Sequence, residues 1–94
     1  MFRNPHFLTR GIEAAISPVM QHFLWQCVEA MPEPRDYLQV FQLSPCGPMQ
    51  RICHSSEEPP FHREYLIPCM APLTEKIYII DSEEYSTMLL ASEY

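Results

Sequence analysis

Two glycines in 94 residues are too few for phosphate-cradling loops, dinucleotide fingerprints or a flexible oxyanion loop, because each needs backbone that approaches its ligand without a Cβ. No Gly-x-Ser-x-Gly elbow surrounds any serine, so a hydrolase built on Ser86, His54 and Asp81 is only a combination of residue types. Cations are scarce too. Six Lys plus Arg stand against twelve Asp plus Glu, and Arg3, Arg10, Arg35, Arg51, Arg63 and Lys76 are scattered along the chain. A polyanion is repelled on average by such a chain, so nucleic acid is not an expected partner, whereas a protein with a basic surface is. No apolar run approaches a membrane span, and the opening MFRNPHFLTRG carries no secretory core. The expectation is a cytoplasmic protein with no membrane partner, its four cysteines kept as free thiols by a reducing compartment.

What is present is a chain with one strong helical signal. Ninety-four residues suffice for a single core, so residues 1–94 are expected to form one domain. Over Ser17 to Met31, Val19, Ala30, Phe23, Ile16, Cys27, Met20, Met31, Leu24 and Val28 share one half of a helical wheel, with Gln21, Glu29, His22 and Gln26 opposite. Ser17 supplies an N-cap oxygen, Pro18 fits the first helical position, and Pro32 and Pro34 forbid continuation. Trp25 breaks the pattern by projecting into the polar half. Either the N-terminal arm covers it through Phe2 or Phe7, or it anchors a protein interface with Gln21, His22 and Glu29 as its surround.

The remaining signals are extended. Phe7 to Arg10 alternates and ends at Gly11, which suits an edge strand. Tyr37 to Leu43 is rich in aromatic and branched residues and leads into the turn-like Ser44 to Pro48, with Gln50 to His54 as the return strand. The segment SSEEPPFH reads as a surface loop, and Arg63 to Ile67 as a further strand cut off by Pro68. Lys76 to Asp81 is the strongest strand, apolar on both sides, and is expected to be a central strand, covered on both faces or lying at a dimer contact. Tyr85 to Ala91 suits strand or helix and is taken as the hairpin partner of Lys76 to Asp81. The sum is an α+β fold, one amphipathic helix packed on an antiparallel sheet of about five strands.

Thr9-Arg10-Gly11-Ile12, Phe23-Leu24-Trp25, Asp36 to Phe41, Lys76 to Asp81 and Ser86 to Ala91 together resemble, over nearly the full length and in order, a family of small proteins of low-GC Gram-positive bacteria, the staphylococcal protein of unknown function. The resemblance implies a bacterial, intracellular protein. It implies no catalytic or binding residue.

Cys46, Cys53, His54, His62 and Cys69 are all of ligand type, but no cysteine pair has the two-to-four spacing of a zinc knuckle, and adjacent Cys53 and His54 would point to opposite faces of a strand. Cys27 falls late in the helix on its core face, where burial raises a thiol pKa; Cys46 has no identifiable base. The acid pairs Glu57-Glu58 and Glu83-Glu84 read as solvated turns. No catalytic residue, metal or cofactor is therefore expected. The sequence points to a small acidic cytoplasmic interaction module, contacting a protein partner or itself through Gln21, His22, Trp25 and Glu29. The alternative is a thiol- or metal-dependent enzyme using the Cys46 to Cys69 region.

Overall fold

The computed structural model describes residues 4–94, so Phe2, one of the two residues expected to cover Trp25, lies outside the described part. The elements run β1 (His6–Leu8), α1 (Arg10–Ala15), α2 (Pro18–Glu29), β2 (Leu38–Cys46), β3 (Met49–Ser56), β4 (Phe61–Pro68), β5 (Glu75–Asp81), β6 (Ser86–Leu90) and a terminal 3-10 turn, Ala91–Glu93. The strands form one sheet in the order β1-β6-β5-β2-β3-β4. Neighbours are antiparallel except β1 and β6, which run parallel from His6 beside Ser86 to Leu8 beside Met88. The sheet is thus mixed and six-stranded, rather than antiparallel with about five strands, and α1 joins α2 as a second helix.

Local chemistry explains most boundaries. Ser17 caps α2 by accepting a hydrogen bond from the Met20 amide at 3.2 Å. Past its end, Arg35 donates to the carbonyls of Met31 and Glu29, satisfying acceptors that the helix leaves open. Gly47, at φ 59°, closes the tight β2–β3 turn in the left-handed region that costs glycine little; Pro45 and Cys46 belong to β2 and pair with Gln50 and Met49. That hairpin extends further than the apolar pattern alone suggests.

The second helix replaces what reads as the end of an extended segment. Thr9 caps it, and Arg10 and Gly11 are its first residues. A carboxylate from the far end of the chain completes the start: Glu93 accepts from the Thr9 hydroxyl at 2.6 Å, the Gly11 amide at 3.2 Å and the Leu90 amide at 2.9 Å. A Cβ on Gly11 would lie 2.5 Å from a Glu93 oxygen, so glycine here serves close approach rather than chain termination.

The core occupies one face of the sheet. Phe41 and Leu43 of β2, Ile52 of β3, Ile77 and Ile79 of β5 and Met88 of β6 are fully buried there, against Ile12 of α1 and Met20, Leu24, Cys27 and Val28 of α2. Each such aliphatic side chain contributes roughly 1.5–3 kcal/mol on burial. Two positions on α2 depart from the wheel. Val19 is 82% exposed, and Trp25 is only 9% exposed. The buried arc is rotated toward Trp25, and Gln21 in that arc donates to the Ile16 carbonyl at 2.8 Å, which satisfies its amide at the core margin.

Candidate functional site

The two faces of the sheet are unequal. Alternation along each strand sends every second side chain away from the helices, and on that face the central strands present Leu38 and Val40 of β2 and Tyr78 and Ile80 of β5, each only half-buried. Val40 pairs with Tyr78 and Leu38 with Ile80 across the ladder, so four apolar side chains form one contiguous patch. Tyr94 meets Tyr78 edge-on at 5.5 Å, and Tyr37, 56% exposed, immediately precedes β2. Towards β3 and β4 the face turns polar: Arg51 and Glu64 approach to 3.6 Å, and the Cys53 thiol lies 3.6 Å from the Glu64 carboxylate. An apolar centre with a polar rim is the anatomy of a contact surface.

A cleft of about 680 Å³ opens at one end of this face, between the Arg35 to Leu38 segment and the Ser55 to Glu58 turn. Its walls are tied by one side chain. The Asp36 carboxylate accepts from the Leu38 amide at 3.2 Å, the Glu57 amide at 3.2 Å and the Glu58 amide at 2.9 Å. Burial works to raise the Asp36 pKa, but these amide donors outweigh it and hold the carboxyl below its ordinary value.

The residues singled out on α2 do not form one open patch. His22 and Glu29 are exposed, Gln21 is half-buried, and Trp25 is buried beneath the N-terminal arm. The ring that covers it is His6, stacked at 3.7 Å between centroids. Phe7 instead meets Tyr85 edge-on at 5.5 Å.

The ligand-type residues between Cys46 and Cys69 are separated by the sheet. His54 is fully buried on the helix-covered face, stacked on Phe41 at 4.3 Å, whereas its neighbour Cys53 lies on the other side beside Glu64. His54 Nε2 donates to Gln39 Oε1 at 2.7 Å, and Gln39 in turn donates to the Asp36 carbonyl at 2.7 Å. Burial, reinforced by Arg63, lowers the His54 pKa to about 4. Burial pushes the Cys53 thiol up, with Glu64 adding to the effect, and burial likewise raises the Cys27 thiol against a lowering hydrogen bond from Tyr65. Neither thiol has the depressed pKa of a nucleophile. Among the described residues, no group of three or more His, Cys, Asp or Glu side chains could hold a metal ion, and no helix is long and apolar enough to cross a membrane.

The family described as "Staphylococcal protein of unknown function (DUF960)" matches residues 5–93. The chain belongs to this family. In fold it is similar to the crystal structure of a protein of unknown function from Enterococcus faecalis, with a TM-score of 0.86 over 97% of this chain and 91% of that one, at 15% sequence identity. No curated protein matches it. Membership in the staphylococcal family brings a bacterial context, and its description assigns no role to any residue. The surface around Val40, Tyr78 and Ile80 is therefore read from geometry alone. Sequence reasoning found half of it, in the two-sided strand Lys76 to Asp81; the same reading of Leu38 and Val40 would have supplied the other half.

Proposed function

We propose that residues 1–94 act as a single protein–protein interaction module of the bacterial cytoplasm, without catalytic activity of its own, docking onto a protein partner through the helix-free face of the sheet. One observation carries this reading. Both helices pack on the same face, and the opposite face leaves Leu38, Val40, Tyr78 and Ile80 only half-buried in a contiguous group. Apolar area held in water by a well-formed sheet is stabilised when a partner covers it. The four free thiols suit a reducing compartment. The helix surface of Gln21, His22, Trp25 and Glu29 takes second place as a contact, because His6 already occupies one face of the indole.

The test is capture from the host cytoplasm with the intact chain, with a Val40→Glu, Ile80→Glu double variant and with Trp25→Ala. The docking face predicts proteins retained by the intact chain and lost from the double variant, whose circular dichroism stays native. An identical retained set with a natively folded double variant contradicts it.

A further inference from the structure

Resting on that reading, we propose that the cleft beside Tyr37 receives a lysine or arginine side chain from an apolar segment of the partner. The cleft shares Leu38 and Val40 with the apolar face, so a segment lying on the sheet would deliver a neighbouring side chain into it. The chemistry of the walls is that of a cation receptor. Tyr37 offers an exposed ring, and Glu57 and Glu58 stand exposed on the opposite turn; an aromatic face beside carboxylates attracts an ammonium or guanidinium by cation–π and Coulomb terms together. The turn is pre-organised, because the Asp36 carboxylate holds both glutamate amides while it also holds the Leu38 amide on the other wall. A receptor fixed before binding loses less freedom when it binds.

One further observation favours a basic occupant. The cations that line the cleft are directed elsewhere: Arg35 donates to the carbonyls at the end of α2, and the Lys76 ammonium lies over the Tyr78 ring at 5.7 Å from its centroid. A second copy of this chain, at net charge −6, would bring like charge to the same surface.

The experiment is fluorescence anisotropy of the full chain with two labelled synthetic peptides, one alternating leucine with lysine and one alternating leucine with glutamate. The expected result is saturable binding of the lysine peptide, weakened by salt, and none of the glutamate peptide. Glu57→Lys with Glu58→Lys should weaken binding at least tenfold. Glu13→Lys with Glu84→Lys, an equal charge change away from the cleft, should alter it less than threefold. Equal losses in the two variants, no saturation by the lysine peptide, or a dimer of the intact chain in sedimentation that the Glu57, Glu58 variant disrupts would each overturn the assignment. If the lysine peptide fails while Val40→Glu with Ile80→Glu still removes captured proteins, the cleft is wrong and the docking face stands. If that double variant changes nothing, the docking face fails as well.

Discussion

The imidazole of His6 lies flat on the indole of Trp25, 3.7 Å between centroids and 5° from parallel. The pairing brings together two edges of the fold. His6 sits in β1, the outermost strand, held beside β6 and fixed further by Asn4, which donates to the Asp81 carboxylate at 2.7 Å and accepts from the Ser86 hydroxyl at 2.6 Å. Trp25 sits on α2. The stack thus closes the first strand over the helix, and the indole serves packing before it serves any partner.

Trp25→Ala should therefore destabilise the protein. Loss of a buried Trp costs about 3–5 kcal/mol, which for a domain of this size lowers the melting temperature by roughly 15 °C or more. His6→Ala should cost about 1 kcal/mol, with a coupling of about 0.5–1.5 kcal/mol to Trp25 in a double-mutant cycle. Calorimetry of the four proteins checks this; an unchanged melting temperature for Trp25→Ala would show that the indole is not part of the packed core.

Acid stability should carry the signature of His54. Its Nε2 donates to Gln39, its Nδ1 has no partner among the described residues, and its folded-state pKa of about 4 lies below the ordinary 6.5. Between those two values the unfolded chain takes up a proton that the folded chain refuses, so unfolding free energy falls as pH drops through that window, by about 3 kcal/mol in total. His54→Leu should flatten the slope between pH 6.5 and pH 4 while lowering stability at neutral pH, because Gln39 loses its partner. Urea unfolding across that range reads both effects.

Gln50 should behave as a buried staple. Its amide nitrogen donates to the carbonyls of Ser44 at 2.9 Å and Leu73 at 3.0 Å, and its oxygen accepts from the Leu73 amide at 2.9 Å. Gln50→Leu preserves volume but leaves Leu73 without these bonds, at a cost of about 2–4 kcal/mol. Hydrogen exchange at the Leu73 amide should rise most, before the β2–β3 ladder is affected.

These contrasts show what a sequence carries and what it does not. Strands β2 to β6 were legible because alternation and proline punctuation are local properties. Helix α1 was not, since its six residues are too few for a helical period and its start depends on Glu93, 82 positions beyond Gly11. Pairing of β1 with β6 is equally remote, joining His6 to Ser86. On α2 the periodicity was correct and its centre was displaced, because Val19 sits in the first turn facing water while the wide indole of Trp25 reaches under β1. The cleft left no local trace: Asp36 meets the Glu57 and Glu58 amides 21 and 22 residues away, and only the folded sheet brings them together.

The most direct test of the docking face is amide chemical-shift mapping on the isotopically labelled chain, titrated with a protein captured by the intact chain and lost from the Val40→Glu, Ile80→Glu variant. The account predicts shifts concentrated in β2 and β5 around Leu38, Val40, Tyr78 and Ile80. Shifts confined to α2 around Gln21, His22 and Glu29, with β2 and β5 silent, would contradict it.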